Sequence, residues 1–168
     1  MANIIQATIT NAGHEALAKS FGGPSGGFDW SFGDYFKIGT GGFVVIGGGC
    51  KEPATPDPAL TDIVSATSGI FWYRKTFDAS DILFISPVTI QFRCFLDLLE
   101  ANGDGFLEPD TATGVDGPKN TTSLAGDPPT YFELGIFDSQ DVMVAYGTFP
   151  GETKLNTKTL NHLVNINF

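Results

Sequence analysis

Residues 130–149, TYFELGIFDSQDVMVAYGTF, constrain the fold more than any other stretch. Two apolar runs flank a polar break, Asp138-Ser139-Gln140-Asp141. In the first run Phe132, Leu134 and Ile136 share one side of an extended chain, and Tyr131, Glu133, Gly135 and Phe137 share the other. In the second, Val142, Val144 and Tyr146 alternate with Met143, Ala145 and Gly147. Successive strand side chains point to opposite faces, so alternation on both sides of a short polar turn predicts a β-hairpin. Both of its faces are largely apolar, which places the hairpin centrally in its sheet rather than on an edge.

The rest of the chain supplies short strands around it. Residues 2–9 read as a first strand. Thr10 or Asn11 can cap a helix over about 12–20, with Ala12, Ala16, Leu17 and Phe21 as its apolar face, stopped by Gly22-Gly23-Pro24. Tyr35–Gly39 reads as a strand, and residues 43–46 as a short buried strand between glycine clusters. Residues 53–67, rich in Pro, Ala, Thr and Asp, read as a loop. Residues 71–77 form an aromatic strand and 82–85 a short one ended by Pro87.

Residues 88–98 give the longest alternation, with Val88, Ile90, Phe92, Cys94 and Leu96 on one face, expected to pair near the hairpin. A closing strand spans 162–168. The sum is a mainly β fold, an antiparallel sheet or sandwich with one short N-terminal α-helix. One domain of residues 1–168 is expected, with an acidic loop insertion at 99–129.

The 168-residue chain is long enough to bury a core without disulfides or metal. Its two cysteines do not form a disulfide scaffold, and Cys94 reads as a small core residue. The net charge of −10 disfavours nucleic acid and anionic membranes as partners. Neither a signal peptide nor a membrane span is read, since no apolar stretch is long enough.

Residues 99–129 carry six acidic side chains among prolines and glycines. Within them, Glu100, Asn102 and Asp104 alternate ahead of Gly105, and the Phe106 carbonyl with Glu108 or Asp110 could complete an oxygen shell for Ca²⁺. The loop departs from a full calcium signature: Glu stands first, Thr111 stands twelfth, and Pro109 blocks a following helix. An Asn-Gly-Asp-Gly turn in a solvated loop explains the same residues.

Catalytic signatures are thin. His14 lies on the expected helix and His162 opens the last strand; a pair of either with Cys94 or Cys50 is open, though a buried strand cysteine is more often inert. No Gly-x-Ser-x-Gly elbow exists, and Gly-Gly-Gly-Cys-Lys-Glu lacks the Ser/Thr of a phosphate loop. A non-enzymatic role is expected, with no required cofactor. Trp30, Phe32, Tyr35, Trp72 and Tyr73 are either core aromatics or a sugar-binding face.

Three stretches, in order, resemble the N-terminal domain of bacteriophage tail-collar and tail-fibre proteins. Thr8-Ile-Thr-Asn-Ala-Gly13 with Ala16-Leu17-Ala18 is similar to that family's opening strand and helix. Tyr35-Phe-Lys-Ile-Gly39 resembles its aromatic-x-Ile-Gly strand. Phe132-Glu-Leu-Gly-Ile-Phe-Asp138, followed by Met143-Val-Ala-Tyr-Gly-Thr-Phe-Pro150 and a closing strand, resembles its hairpin.

The resemblance implies a structural adaptor of the virion tail or baseplate, made in the host cytoplasm. Its expected partners are other tail or baseplate proteins and copies of itself, and no shaft or receptor tip is expected after Phe168. Phe28, Trp30, Phe32 and Tyr35, in and beside the Gly/aromatic loop at 21–34, are the expected interface residues, together with 99–129. A virion-surface carbohydrate-binding module and a head-decoration protein are the alternatives.

Overall fold

The computed structural model describes residues 3–22, 33–68, 72–103 and 126–167. In chain order these form β1 (Asn3–Gln6), β2 (Thr8–Ile9), α1 (Asn11–Gly22), β3 (Tyr35–Gly39), β4 (Phe43–Val45), β5 (Lys51–Pro53) and α2 (Val64–Ser68). Then follow β6 (Trp72–Thr76), β7 (Ile82–Ser86), β8 (Thr89–Leu96), β9 (Thr130–Phe137), β10 (Met143–Thr153) and β11 (Leu160–Asn167). The fold is mainly β, and α1 is the one helix of more than two turns among the described residues.

A five-stranded sheet has the order β2-β10-β9-β3-β6, and a four-stranded sheet the order β1-β11-β8-β7. All pairs are antiparallel except β1 with β11. The two sheets share one core. Ile5, Phe92, Leu96 and Val164 from the smaller sheet pack with Phe36, Ile38, Leu134, Ile136 and Ala145 from the larger. Phe77, on the crossover from β6 to β7, stands between Phe36 (ring centroids 5.4 Å apart) and Phe92 (5.3 Å), which ties the layers together.

The hairpin lies centrally in the larger sheet, as its two apolar faces require. Its second face is covered by the segment carrying α2, where Ile63 packs with Tyr35, Phe137, Met143 and Tyr146, and α1 lies against β10. The turn residue Asp138 accepts hydrogen bonds from the backbone N–H of Gln140 (2.8 Å) and Val142 (2.9 Å).

Strict alternation fails in two places, each at an irregularity of β10. Met143 pairs with Phe137 and Ala145 with Ile136, so Val144 is an extra residue. This bulge puts Met143 and Tyr146 together on the helix side while Val144 joins the intersheet core. A second shift lies between Thr148 and Glu152. There Phe132 leaves Leu134 and Ile136 to pack on Phe43 at 5.0 Å, and Tyr131 takes its place in the core.

Other expectations change as well. The first strand is two, because β1 joins the smaller sheet and β2 the larger, and one continuous strand cannot serve both. Thr10 then caps α1, its Oγ1 accepting from Gly13 N–H at 2.9 Å. The alternation holds over β8, residues 89–96, but Val88 lies in the turn before it and is exposed, and β8 pairs with β7 and β11 in the opposite sheet rather than beside the hairpin. Residues 43–46 are not buried: among the described residues β4 pairs only with β5, in a ribbon that exposes Val44, Val45 and Ile46. The 53–67 loop contains α2, which is too short to leave a helical period.

Candidate interaction surfaces

Exposed large apolar side chains concentrate at three places among the described residues. Leu83, Phe84, Ile85 and Val88 crowd the β7–β8 corner. Val44, Val45 and Ile46 line the β4–β5 ribbon, whose tip Gly47–Gly49 leads into the exposed thiol of Cys50. Leu98 and Leu99 precede the acidic segment. Monomeric proteins rarely group exposed apolar side chains without a contact role.

Two clefts meet at a side-chain hydrogen bond from Asn3 to Glu152. One, of about 550 Å³, runs along β1 past Ile4, Ile5, Phe149 and Pro150. The other, of about 530 Å³, is lined by Phe95, Lys158, Thr159 and Asn161. Lys158 closes its wall with an ion pair to Glu152 at 3.2 Å.

Of the expected interface residues, Tyr35 is a core residue, 1% exposed. Its ring stacks on Phe137 (centroids 4.9 Å) beneath the Arg74 guanidinium (3.6 Å), and its hydroxyl donates to Asp141 at 2.8 Å. Burial, then the Asp141 carboxylate, push its phenol well above the usual tyrosine range. Alternation on β3 hides it: all five residues of that strand are buried, because the sheet is covered on both faces. Tyr73 is also core and Trp72 is half-buried. Phe28, Trp30 and Phe32 lie outside the described residues.

Of the calcium set, Asp104, Phe106, Glu108 and Asp110 lie outside the described residues. Glu100 and Asn102 are engaged within the fold. Glu100 pairs with Lys75 at 2.6 Å and accepts from Asp97 N–H at 2.8 Å. Asn102 is buried and donates to the Leu98 carbonyl at 3.2 Å. These bonds build the turn that leads into the acidic segment. Among the described residues no three His, Cys, Asp or Glu side chains converge on a common point.

Sequence reasoning missed three buried polar groups. Glu133, fully buried, sits on the hairpin face that looked simply apolar. Its Oε1 accepts from Ser65 N–H (2.7 Å) and Ser65 Oγ (2.5 Å); its Oε2 accepts from Val64 N–H (2.9 Å) and the Tyr146 hydroxyl (2.7 Å). The carboxylate thereby holds the first turn of α2 against the sheet. Burial and the Glu133 charge raise the Tyr146 phenol above its ordinary range.

Close approach to this network also explains the nearby glycines. A Cβ on Gly39 would lie 2.7 Å from Glu133 Oε1, and Gly42 adopts φ +75° directly over the Glu133 side chain. One sequence signal was available: a glutamate in the middle of a run buried on both faces needs donors, and Ser65 lies in the segment read as loop.

Lys154 is fully buried and donates from Nζ to the carbonyls of Leu98 and Leu155, both at 3.0 Å. Burial lowers its amine to about 8. His162 is buried against Phe149 (ring centroids 4.3 Å), and neither ring nitrogen has a hydrogen-bond partner among the described residues. Burial pulls its imidazole down to about 4. Glu133 itself is fully buried and its four bonds tie α2 and β10 to β9.

No helix among the described residues is long and apolar enough to cross a membrane. Comparisons with protein-family models, curated proteins and solved structures found no match to this chain.

Proposed function

We propose that this chain is a non-enzymatic structural subunit of a tailed-phage virion, at the tail tip, baseplate or fibre attachment. It acts through contacts with other tail or baseplate proteins and with copies of itself. The observation that carries this reading is the contiguity of the resembling segments. The opening strand and helix, the Tyr35–Gly39 strand and the hairpin are far apart in sequence, yet β2, β10, β9 and β3 are successive neighbours in one sheet. The grouping of exposed apolar side chains on a ribbon and a strand edge supports a role in contact rather than catalysis.

Immunogold labelling of purified particles tests the reading. Label at the tail tip or baseplate is expected. Label on the capsid would move the protein to head decoration, and no label on intact or disrupted particles would end the virion reading.

A carbohydrate-binding module is the second reading, favoured by the cleft where Asn3, Glu152, Lys158 and Asn161 surround Phe95. It predicts glycan-array binding lost in Phe95→Ala, and an array without hits removes it. The acidic segment remains a proposed Ca²⁺ loop. Calorimetric titration should give heat that Asp104→Ala abolishes, and no heat in the parent protein ends the idea.

A further inference from the structure

The four sheet edges are not protected alike. An exposed edge strand is a template for another chain, and proteins blunt edges by shortening, charging or covering them. β2 is two residues long and runs directly into α1. β6 carries Arg74 and Lys75. β1 is short and tied down by the bond from Asn3 to Glu152. β7 carries no charge and is interrupted only by a register shift between Phe84 and Ser86. No strand lies beyond it among the described residues, and residues 82–92 contain no charged side chain. Leu83 (47% exposed), Phe84 (71%), Ile85 (56%) and Val88 (55%) stand on this edge and the turn after it.

We infer that β7 is a self-association edge, on which a second copy of this chain lays its own β7 antiparallel about a twofold axis. Charge selects the occupant. Two copies each carry −10 and repel wherever their acidic surfaces meet. A neutral apolar edge is where they can approach, and a twofold axis sets that same edge on both sides of the contact. A basic partner would instead be drawn to acidic surface, which this edge lacks. The break in the β7–β8 register between Phe84 and Ser86 leaves Ile85 unpaired, so continuous strand pairing is confined to Ile82–Phe84 and side-chain packing supplies the rest.

So few side chains fall short of the roughly 800 Å² per partner of a standard interface, which makes the dimer a weak one, dissociating at about micromolar concentrations or above. This inference does not rest on the virion reading and is tested on the purified chain alone.

Sedimentation velocity over a wide concentration series, at low and high salt, tests it. The wild type should move from its 17.9 kDa monomer toward twice that mass. Added salt should strengthen the dimer, because it screens net repulsion while leaving a neutral contact intact. Phe84→Glu should weaken dimerisation at least tenfold with its melting temperature unchanged, whereas Val45→Glu on the ribbon should dimerise like the parent. A wild type that stays monomeric throughout would assign the edge to a different protein and overturn the proposal. So would a trimer or open polymer, or loss of association in Val45→Glu but not in Phe84→Glu.

Discussion

Replacing Glu133 by Gln tests whether a single buried carboxylate organises one face of the larger sheet. The side chain keeps its shape but trades one acceptor oxygen for an NH₂ group. Whichever way the amide turns, that group meets a backbone N–H: Val64 on the Oε2 side or Ser65 on the Oε1 side. The Tyr146 and Ser65 hydroxyls can rotate away, but the backbone donor cannot. One buried N–H is left unsatisfied, which costs about 1–3 kcal/mol, and the remaining bonds lose their charge assistance.

Hydrogen bonds to a charged group are worth about 1.5–3 kcal/mol against about 1 for neutral ones, so with the unsatisfied N–H the total is about 3 kcal/mol. For a domain of this size each kcal/mol lowers Tm by about 2–4 °C, so a fall of about 10 °C is expected. Urea denaturation and calorimetry at neutral pH measure it, with an unchanged urea m-value as evidence that the native core persists. Ser65→Ala, which removes only a hydroxyl donor, should cost about 1 kcal/mol. A Glu133→Gln protein within about 2 °C of the parent would show that α2 is held by apolar packing and refute the network's role.

Three further substitutions probe the remaining buried groups. His162 is neutral when folded, with its imidazole lowered from 6.5 to about 4. The unfolded chain therefore takes up a proton first, and stability should fall by about 3 kcal/mol as pH drops across that window. His162→Leu should flatten this slope in urea midpoints compared at neutral and acid pH. Lys154 has its amine lowered from 10.5 to about 8. Above 8 the unfolded chain holds the proton longer, so Lys154 adds stability as pH rises, opposed from about 8.5 by the Cys94 thiol, which burial raises in the fold; Lys154→Met should therefore lose stability relative to the parent as pH rises from about 8 to 10. Gly39→Ala should lower Tm by several degrees in thermal melts, because its Cβ would press on the Glu133 carboxylate.

The sequence was most readable where one rule acted alone. Residues 88–98 alternate without interruption, and β8 buries Ile90, Phe92, Cys94 and Leu96 as that pattern requires. Asp138 announces its turn through bonds to its own neighbours. The cap was readable to within one residue, Thr10 or Asn11, because capping is local, and the structure selects Thr10. Legibility ended where two long-range choices competed. Nothing in residues 2–9 says that Ile5 goes to one sheet and Ile9 to the other. Val144 is an apolar residue among apolar residues, so its bulge leaves no mark on the period. β4 looked buried because Val and Ile suit a core, but the ribbon's place outside both sheets leaves them exposed. Glu133 was visible as a residue, but three of its four donors come from a helix of five residues, too short to announce itself.

These placements divide the molecule by task. The five-stranded sheet is packed on both faces, by the smaller sheet on one side and by the α2 segment on the other. Its edges are short or charged. Lys37 adds to the seal, pairing with Asp62 at 2.7 Å while lying over Trp72 and Phe137. A sheet closed in this way is a frame, and it offers a partner little to hold. Contacts must then come from what the frame carries: the β4–β5 ribbon, the β7 edge and the surface around the Asn3–Glu152 bond. The division has a measurable consequence. Substitutions at Glu133 or Gly39 should lower stability and leave association of the remaining folded protein unchanged, whereas those at Phe84 should do the reverse. A frame substitution that abolished association at a temperature where the protein stays folded would mean that frame and contact surfaces are one cooperative unit.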